Sequence, residues 1–394
     1  MVFTEFKTNP MFVLGPGALY EIRRLTHHLG ERFLVVTACG PITEQAVSMV
    51  KQSFDNPMAD NCQKANMKYK RALAQAQKYD AQGKKPYYEF IDCEGWQVTR
   101  ANIAKVAERA KEMKAEVIIG IGGGKALDLA RGAHHITGSK VALCPTVAAS
   151  NAAATTLNVV YNDEGSQIVE AGIMDYHPNL LLADTSLLIQ APPHMLVAGI
   201  GDCIGSALET DVATMEHARR HKVLDVSYWS NEITKQIFYE HGYAAVKAAE
   251  AHELNFSFES VIAQIVHING PQWGIQNTDF AHILDNALLC FPSVRKLMHG
   301  YVIGYACVPL LVYMDASLEE IYKYVDFAKS IGLPVTLEEM GLENVTAEEF
   351  KEPAQIAVNS VTYAISDSLL QADDLYRCMK VGDKIVCDYL AKKK

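Results

Sequence analysis

Three consecutive glycines and a lysine, Gly122-Gly123-Gly124-Lys125, follow the apolar run Val117-Ile118-Ile119-Gly120-Ile121. They open a helical pattern, Ala126-Leu127-Asp128-Leu129-Ala130-Arg131. A buried strand that ends in a glycine turn and feeds a helix N-terminus makes an anion site. Backbone N–H groups converge there, no side chain blocks the approach, and the helix dipole favours negative charge. The ligand such a turn takes is a phosphate or pyrophosphate. Lys125 adds a mobile positive charge, and Asp128, one turn into the helix, is placed to meet a ribose hydroxyl. The motif is neither the Walker pattern nor Gly-x-Gly-x-x-Gly. A plainer reading competes with the anion site: glycines that let a helix pack closely on a sheet.

A second set of residues lies far downstream. Asp202 sits in Ala198-Gly199-Ile200-Gly201-Asp202-Cys203, His282 in Phe280-Ala281-His282-Ile283-Leu284-Asp285-Asn286, and His299 in Leu297-Met298-His299-Gly300. A carboxylate and two neutral imidazoles make a three-ligand set for a divalent cation and leave a coordination position open. A substrate hydroxyl bound there would lose its proton more easily. Taken singly, each residue has a plainer reading, a core histidine with a satisfied hydrogen bond or a capping aspartate.

The elements that must position these residues alternate in the first half. Arg32–Thr37, Val117–Ile121, Val141–Cys144 and Asn179–Asp184 read as strands, with a helix over Thr99–Lys114. Such alternation predicts a parallel sheet with helices on both faces. Leu157–Tyr161 and Ser166–Glu170 flank Asn162-Asp163-Glu164-Gly165, a hairpin signal. From His194 onward helix follows helix. The pattern predicts an α/β nucleotide-binding domain over residues 1–190 and a helical metal-binding domain over 191–394. A basic insert spans about residues 60–86, and within it Gln63 to Lys85 carry Lys64, Lys68, Lys70, Arg71, Lys78, Lys84 and Lys85 against the single acid Asp80. It reads as a solvated surface helix, with contact to an anionic partner or neighbouring subunit as the alternative.

The bulk numbers set limits. A chain of 394 residues suffices for two domains, and 49% hydrophobic with 21% charged residues is an ordinary globular composition. A net charge of -10 gives no basic footprint for nucleic acid. No apolar run reaches membrane-spanning length, and the N-terminus lacks a signal-peptide core. Nine cysteines, scattered singly, suit reduced thiols in a cytoplasmic protein.

Taken in order, Gly-Gly-Gly-Lys-x-x-Asp, Pro145-Thr146, Gly-Ile-Gly-Asp-Cys, Ala-His-Ile-Leu-Asp-Asn and Met-His-Gly resemble the metal-dependent (type III, iron-containing) alcohol dehydrogenases, nearest their glycerol dehydrogenase branch. The resemblance runs from about Gly15 to the last helix, interrupted by the basic insert. It implies the dehydroquinate synthase-like fold, an α/β domain with a parallel sheet plus an all-helical domain, and an active site in the cleft between. It implies that Gly122, Gly123, Gly124, Lys125 and Asp128 hold NAD or NADP. Thr146, Thr155, Leu157 and Tyr161 match positions lining the nicotinamide half. Asp202, His282 and His299 match ligands of one divalent metal, usually zinc in this branch and iron in relatives. Hydride transfer between a nicotinamide and a small alcohol, polyol or carbonyl substrate is the implied reaction, carried out by a homo-oligomer.

The sequence departs from the family pattern at three places. Val36-Thr37-Ala38-Cys39-Gly40 carries no acid to receive the adenosine ribose, so NADP fits as well as NAD. Asn151 stands where an aspartate usually touches the polyol, and the basic insert has no counterpart. Two other classes compete. A dehydroquinate synthase-like lyase would need a basic cluster for a phosphorylated substrate, and Arg295-Lys296 is the only such pair near the three candidate ligands. A non-catalytic nucleotide-binding protein would not need all three ligands.

Overall fold

The computed structural model describes residues 10–38, 40–56, 58, 67–164, 168–173, 177–217, 225–268, 279–366 and 369–393. Cys39, Lys64 and Gly165-Ser166-Gln167, used in the reading above, lie outside them. The chain forms two compact units. One is built from Ala152–Ala191 and the described part of Lys7–Ala148, the other from Ala149–Asn151 and the described part of Pro192–Lys394.

The first unit centres on a six-stranded parallel sheet. Its strands are β1 (Phe12–Gly15), β2 (Arg32–Thr37), β3 (Tyr87–Asp92), β4 (Val117–Gly122), β5 (Lys140–Pro145) and β8 (Leu180–Asp184), in the order β1-β8-β5-β4-β2-β3. β4 is buried at every residue and pairs on both sides, Ile119 opposite Val35 and Ala142. A continuous apolar run is what a central parallel strand requires, because helices cover both faces. The helices of this unit are α1 (Ile22–Thr26), α2 (Pro41–Asp55), α3 (Met67–Asp80), α4 (Arg100–Glu112), α5 (Gly124–Thr137) and α6 (Thr185–Leu188). α4 is shorter than its apolar pattern at both ends. Thr99 caps it from outside, its side chain accepting from the Asn102 N–H, and Lys114 already has a left-handed φ of 54°. The hairpin pairs β6 (Leu157–Tyr161) with β7, which runs over Ile168–Ile173.

α3 carries part of the basic insert. Leu73 and Ala76 are buried with Met58, while Arg71, Lys78, Lys84 and Lys85 are solvated. The one acid of the stretch, Asp80, pairs with Arg23 and accepts the Met58 N–H at 2.5 Å.

The second unit is helical. Its helices are α7 (Pro193–His217), α8 (Asp225–Ala251), α9 (Phe256–Ala263), α10 (Phe280–Leu288), α11 (His299–Tyr313), α12 (Leu318–Ile331), α13 (Ala347–Ala357), α14 (Val361–Ser366) and α15 (Ala372–Lys393). Ser317 with Glu320 and Thr346 with Glu349 form complete capping boxes at the starts of α12 and α13. Among the described residues no helix is long and apolar enough to cross a membrane, and seven cysteines are free.

One crossing in this unit dictates where side chains can meet. α7 and α11 approach until backbone touches backbone, through Gly201 on one helix and Gly300 on the other, and Gly205 makes room for the Ile303 side chain of α11. A Cβ on Gly300 would fall 2.5 Å from the carbonyl carbon of Ala198, and one on Gly201 would lie 3.1 Å from the carbonyl carbon of Gly300. Glycines at i and i+4 on α7, with Gly300 opposite, permit this separation.

Candidate active site

The glycine turn sits at the C-terminal end of β4. Gly122 has a φ of 150°, which an L side chain does not adopt readily, and a Cβ there would lie 2.8 Å from that of Ala126. Gly120 packs similarly against Ala130. These two glycines therefore do the close helix-on-sheet packing. Gly123 and Gly124 do something else. Gly123 is the N-cap of α5, and a Cβ on Gly124 would have only Ala152 near it, at 3.8 Å. Backbone at the head of α5 is thus exposed in the way an anion needs. Lys125 next to it is solvated. Thr146 is buried beside the turn, its N–H donating to Gly122 O at 3.0 Å.

Asp128 points inward. Its carboxylate takes the Arg131 guanidinium at 2.6 Å, and Arg131 also donates to Leu157 O and Ala152 O, both at 2.6 Å. Burial pushes the Asp128 carboxyl up to about 7, although Arg131 opposes the shift. The pair fixes the loop that leads into β6 against α5. Thr155 belongs to that loop, its hydroxyl oxygen accepting the Leu157 N–H at 3.2 Å. Tyr161 lies at the other end of β6, with its own N–H on Val98 O.

In the helical unit Asp202, His282 and His299 converge from α7, α10 and the start of α11. Their ligand atoms all lie within 4.8 Å of one another. Asp202 Oδ1 is 3.5 Å from His282 Nε2 and 3.6 Å from His299 Nε2. Two atoms each bound about 2.0–2.1 Å from one ion at tetrahedral angles lie roughly 3.3–3.4 Å apart. The observed separations are too long for strong hydrogen bonds and fit a shared cation.

Each of the three side chains is tethered through its other polar atom. Asp202 Oδ2 accepts the Asn151 N–H at 3.0 Å. His282 Nδ1 is 2.7 Å from Glu209 Oε2, and His299 Nδ1 is 3.2 Å from Asp285 Oδ2. Burial disfavours a cation at His282, but Glu209 and Asp202 outweigh it and raise the imidazole to about 10. Asp285 and Asp202 likewise raise His299 against burial. Burial acts to raise Asp202, and the two imidazoles with the Asn151 N–H overcome it and lower its carboxyl. Three carboxylates around two imidazoles therefore present a strongly cation-seeking site.

Glu209, Asp285 and Arg131 were not singled out by the sequence reading. Their spacing is a usable signal: Glu209 falls on the same face of α7 as Asp202, and Arg131 and Asp285 each follow a singled-out residue by one helical turn. Asn151 contributes its backbone N–H to Asp202. Arg295, the basic residue a phosphorylated substrate would need, directs its Nε at Leu289 O, 2.7 Å away, at the end of α10.

A family model for iron-containing alcohol dehydrogenases matches residues 64–185. A glycerol dehydrogenase of Escherichia coli is 28% identical over 294 residues, 74% of this chain and 80% of that one. A glycolaldehyde reductase of Halobacterium salinarum is 27% identical over 289 residues, 70% of this chain and 79% of that one. The crystal structure of glycerol dehydrogenase from Schizosaccharomyces pombe superposes with a TM-score of 0.83 at 21% identity, covering 100% of this chain and 93% of that one. The chain is thus similar to iron-containing alcohol dehydrogenases over residues 64–185, has glycerol dehydrogenases among its relatives and shares the fold of one.

Proposed function

We propose that the protein is a nicotinamide- and metal-dependent dehydrogenase of small alcohols or polyols, interconverting them with the corresponding ketones or aldehydes. The observation that carries this reading is the convergence of Asp202 Oδ1, His282 Nε2 and His299 Nε2, each tethered behind by another group. These three residues would hold one divalent cation. Two imidazoles and a carboxylate suit zinc and ferrous iron alike. When bound, the cation acts as a Lewis acid on the substrate oxygen and favours its deprotonated form. The head of α5, with Gly123, Gly124 and Lys125, receives the pyrophosphate of the dinucleotide. Gly122 and Thr146 shape that turn, while Asp128 with Arg131 fixes the loop carrying Thr155 and Leu157 toward the nicotinamide half.

Glycerol-like diols are the substrate class suggested by the relatives, and Asn151 contributes no charge toward a polyol. NADP is used at least comparably with NAD, because Thr37 and Ala38 at the end of β2 bring no carboxylate against a 2′-phosphate. The test is to load the protein with zinc or ferrous iron and follow reduced nicotinamide with NAD or NADP over a panel of diols, and the reverse with carbonyls. Silence in both directions with both metals would overturn the proposal. Phosphate release with no net change in cofactor would point instead to the lyase chemistry of the fold's other branch.

A further inference from the structure

Resting on the metal reading above, we infer that Glu209 and Asp285 are positioning residues that present the Nε2 atoms of His282 and His299 to one cation. Glu209 is 1% exposed and spends both oxygens on a single residue. Oε1 accepts the backbone N–H of His282 at 2.9 Å, and Oε2 takes its Nδ1 at 2.7 Å. That N–H lies in the first turn of α10, where no intrahelical acceptor exists. One carboxylate thus caps the helix and fixes the ring it carries. Two attachment points on the same residue leave the imidazole no freedom to turn Nδ1 toward Asp202.

Asp285 repeats the device one turn later. It is 6% exposed, its Oδ2 faces His299 Nδ1 at 3.2 Å, and its other oxygen is buried without a hydrogen-bond partner. Burying a carboxylate with so little satisfaction is costly. Orienting His299 is the return that the surroundings of Asp285 show. His299 needs it, because its side chain is 46% exposed and packing alone does not hold it. The bracing is staggered across the helices. α7 carries Asp202 and the carboxylate that holds the ligand of α10, and α10 carries His282 and the carboxylate that holds the ligand of α11. Both rings direct Nδ1 at an anion, which turns Nε2 toward the cation position beside Asp202, and the anion behind each ring increases its basicity.

The test uses the full chain, stripped of metal and titrated with zinc against a chromophoric chelator, and separately loaded with cobalt for its absorption spectrum. D285N and E209Q are expected to bind zinc ~10–100-fold more weakly than wild type. Their cobalt spectra should change in band position, a readout that simple loss of stability does not move. E209A should be weaker than E209Q, whose amide oxygen still accepts from Nδ1. Far-UV circular dichroism of the metal-free variants should match wild type, and D285N, which leaves the cap of α10 intact, serves if the Glu209 variants do not fold. Wild-type protein that binds zinc tightly, alongside D285N and E209Q with the same affinity and the same cobalt spectrum, would overturn the inference and spare the metal reading. Wild-type protein that takes up neither metal would overturn both.

Discussion

Replacing Gly300 by alanine should damage the proposed metal site without touching a proposed ligand. The new methyl would sit 2.5 Å from the carbonyl carbon of Ala198 and 2.9 Å from its Cα. A comfortable carbon–carbon contact is about 3.5 Å or more, so α7 and α11 must separate by roughly 1 Å. Backbone cannot rotate aside as a side chain does, and such overpacking costs about 1–3 kcal/mol or more. Gly300 directly follows His299, and Ala198 lies one turn before Asp202, so the separation is imposed on the 3.6 Å gap between their ligand atoms. Metal–ligand distances tolerate about 0.2 Å. Zinc affinity should therefore fall at least ~10-fold, a loss of about 1.4 kcal/mol, in a chelator-competition titration. Gly304→Ala is the control. Its methyl would meet Leu333 Cδ2 at 2.9 Å, the far end of a flexible side chain, so affinity should stay within about threefold. Equal zinc affinity in Gly300→Ala and wild type would refute the argument that the glycine crossing sets the ligand spacing.

Other expectations follow from the same geometry. Arg131→Met leaves the Asp128 carboxylate buried without its partner, and thermal denaturation should show a loss of about 3–5 kcal/mol. Gly122→Ala forces a side chain onto a φ of 150° and against Ala126, so equilibrium dialysis should show dinucleotide binding largely abolished. Ala38→Asp should lower NADP affinity relative to NAD by about tenfold, because a carboxylate at the end of β2 repels a 2′-phosphate; an unchanged ratio would place the ribose elsewhere. His282 is raised in the folded protein to about 10, so its contribution to stability is present below about 6.5 and is lost as pH rises through about 10. Metal-free protein should lose melting temperature across that window, and zinc-loaded protein, whose His282 carries no proton on Nε2, should not.

The sequence made the central strands visible and left the margins dark. β2, β4, β5 and β8 are apolar runs because each is buried on both faces. The two edge strands, β1 and β3, were not anticipated. β3 is Tyr87-Tyr88-Glu89-Phe90-Ile91-Asp92, exposed at both ends and intermediate between, and a half-solvated edge tolerates charges that break the apolar signal. The same logic applies to the site. Asp202, His282 and His299 stood out as polar residues in apolar helices. Glu209 and Asp285 lie at helical spacing from Asp202 and His282, which puts them on the same faces, but which ring each carboxylate meets is decided only by the packing of α7, α10 and α11. Asp128 was legible as a polar residue near the glycine turn, but not its direction: only the fold shows Arg131 reaching past it to Leu157 and Ala152.

Glycine carries two different arguments in this chain, and only structure separates them. At Gly122 the requirement is conformational, a left-handed φ at the strand end that turns the chain into α5. At Gly201 and Gly300 the φ is unexceptional and the requirement is steric, since any Cβ would strike the backbone of the opposing helix. The second kind explains why glycines sit directly beside Asp202 and His299. Three ligand atoms must meet at one point although they arise from three helices, and ordinary helix pairs stand about 8–10 Å apart. A short carboxylate such as Asp202 reaches the common point only if α7 and α11 come nearer than that. The glycines remove the Cβ atoms that would keep them apart, and the spacing of the proposed ligand atoms is thereby written into the packing of two helices.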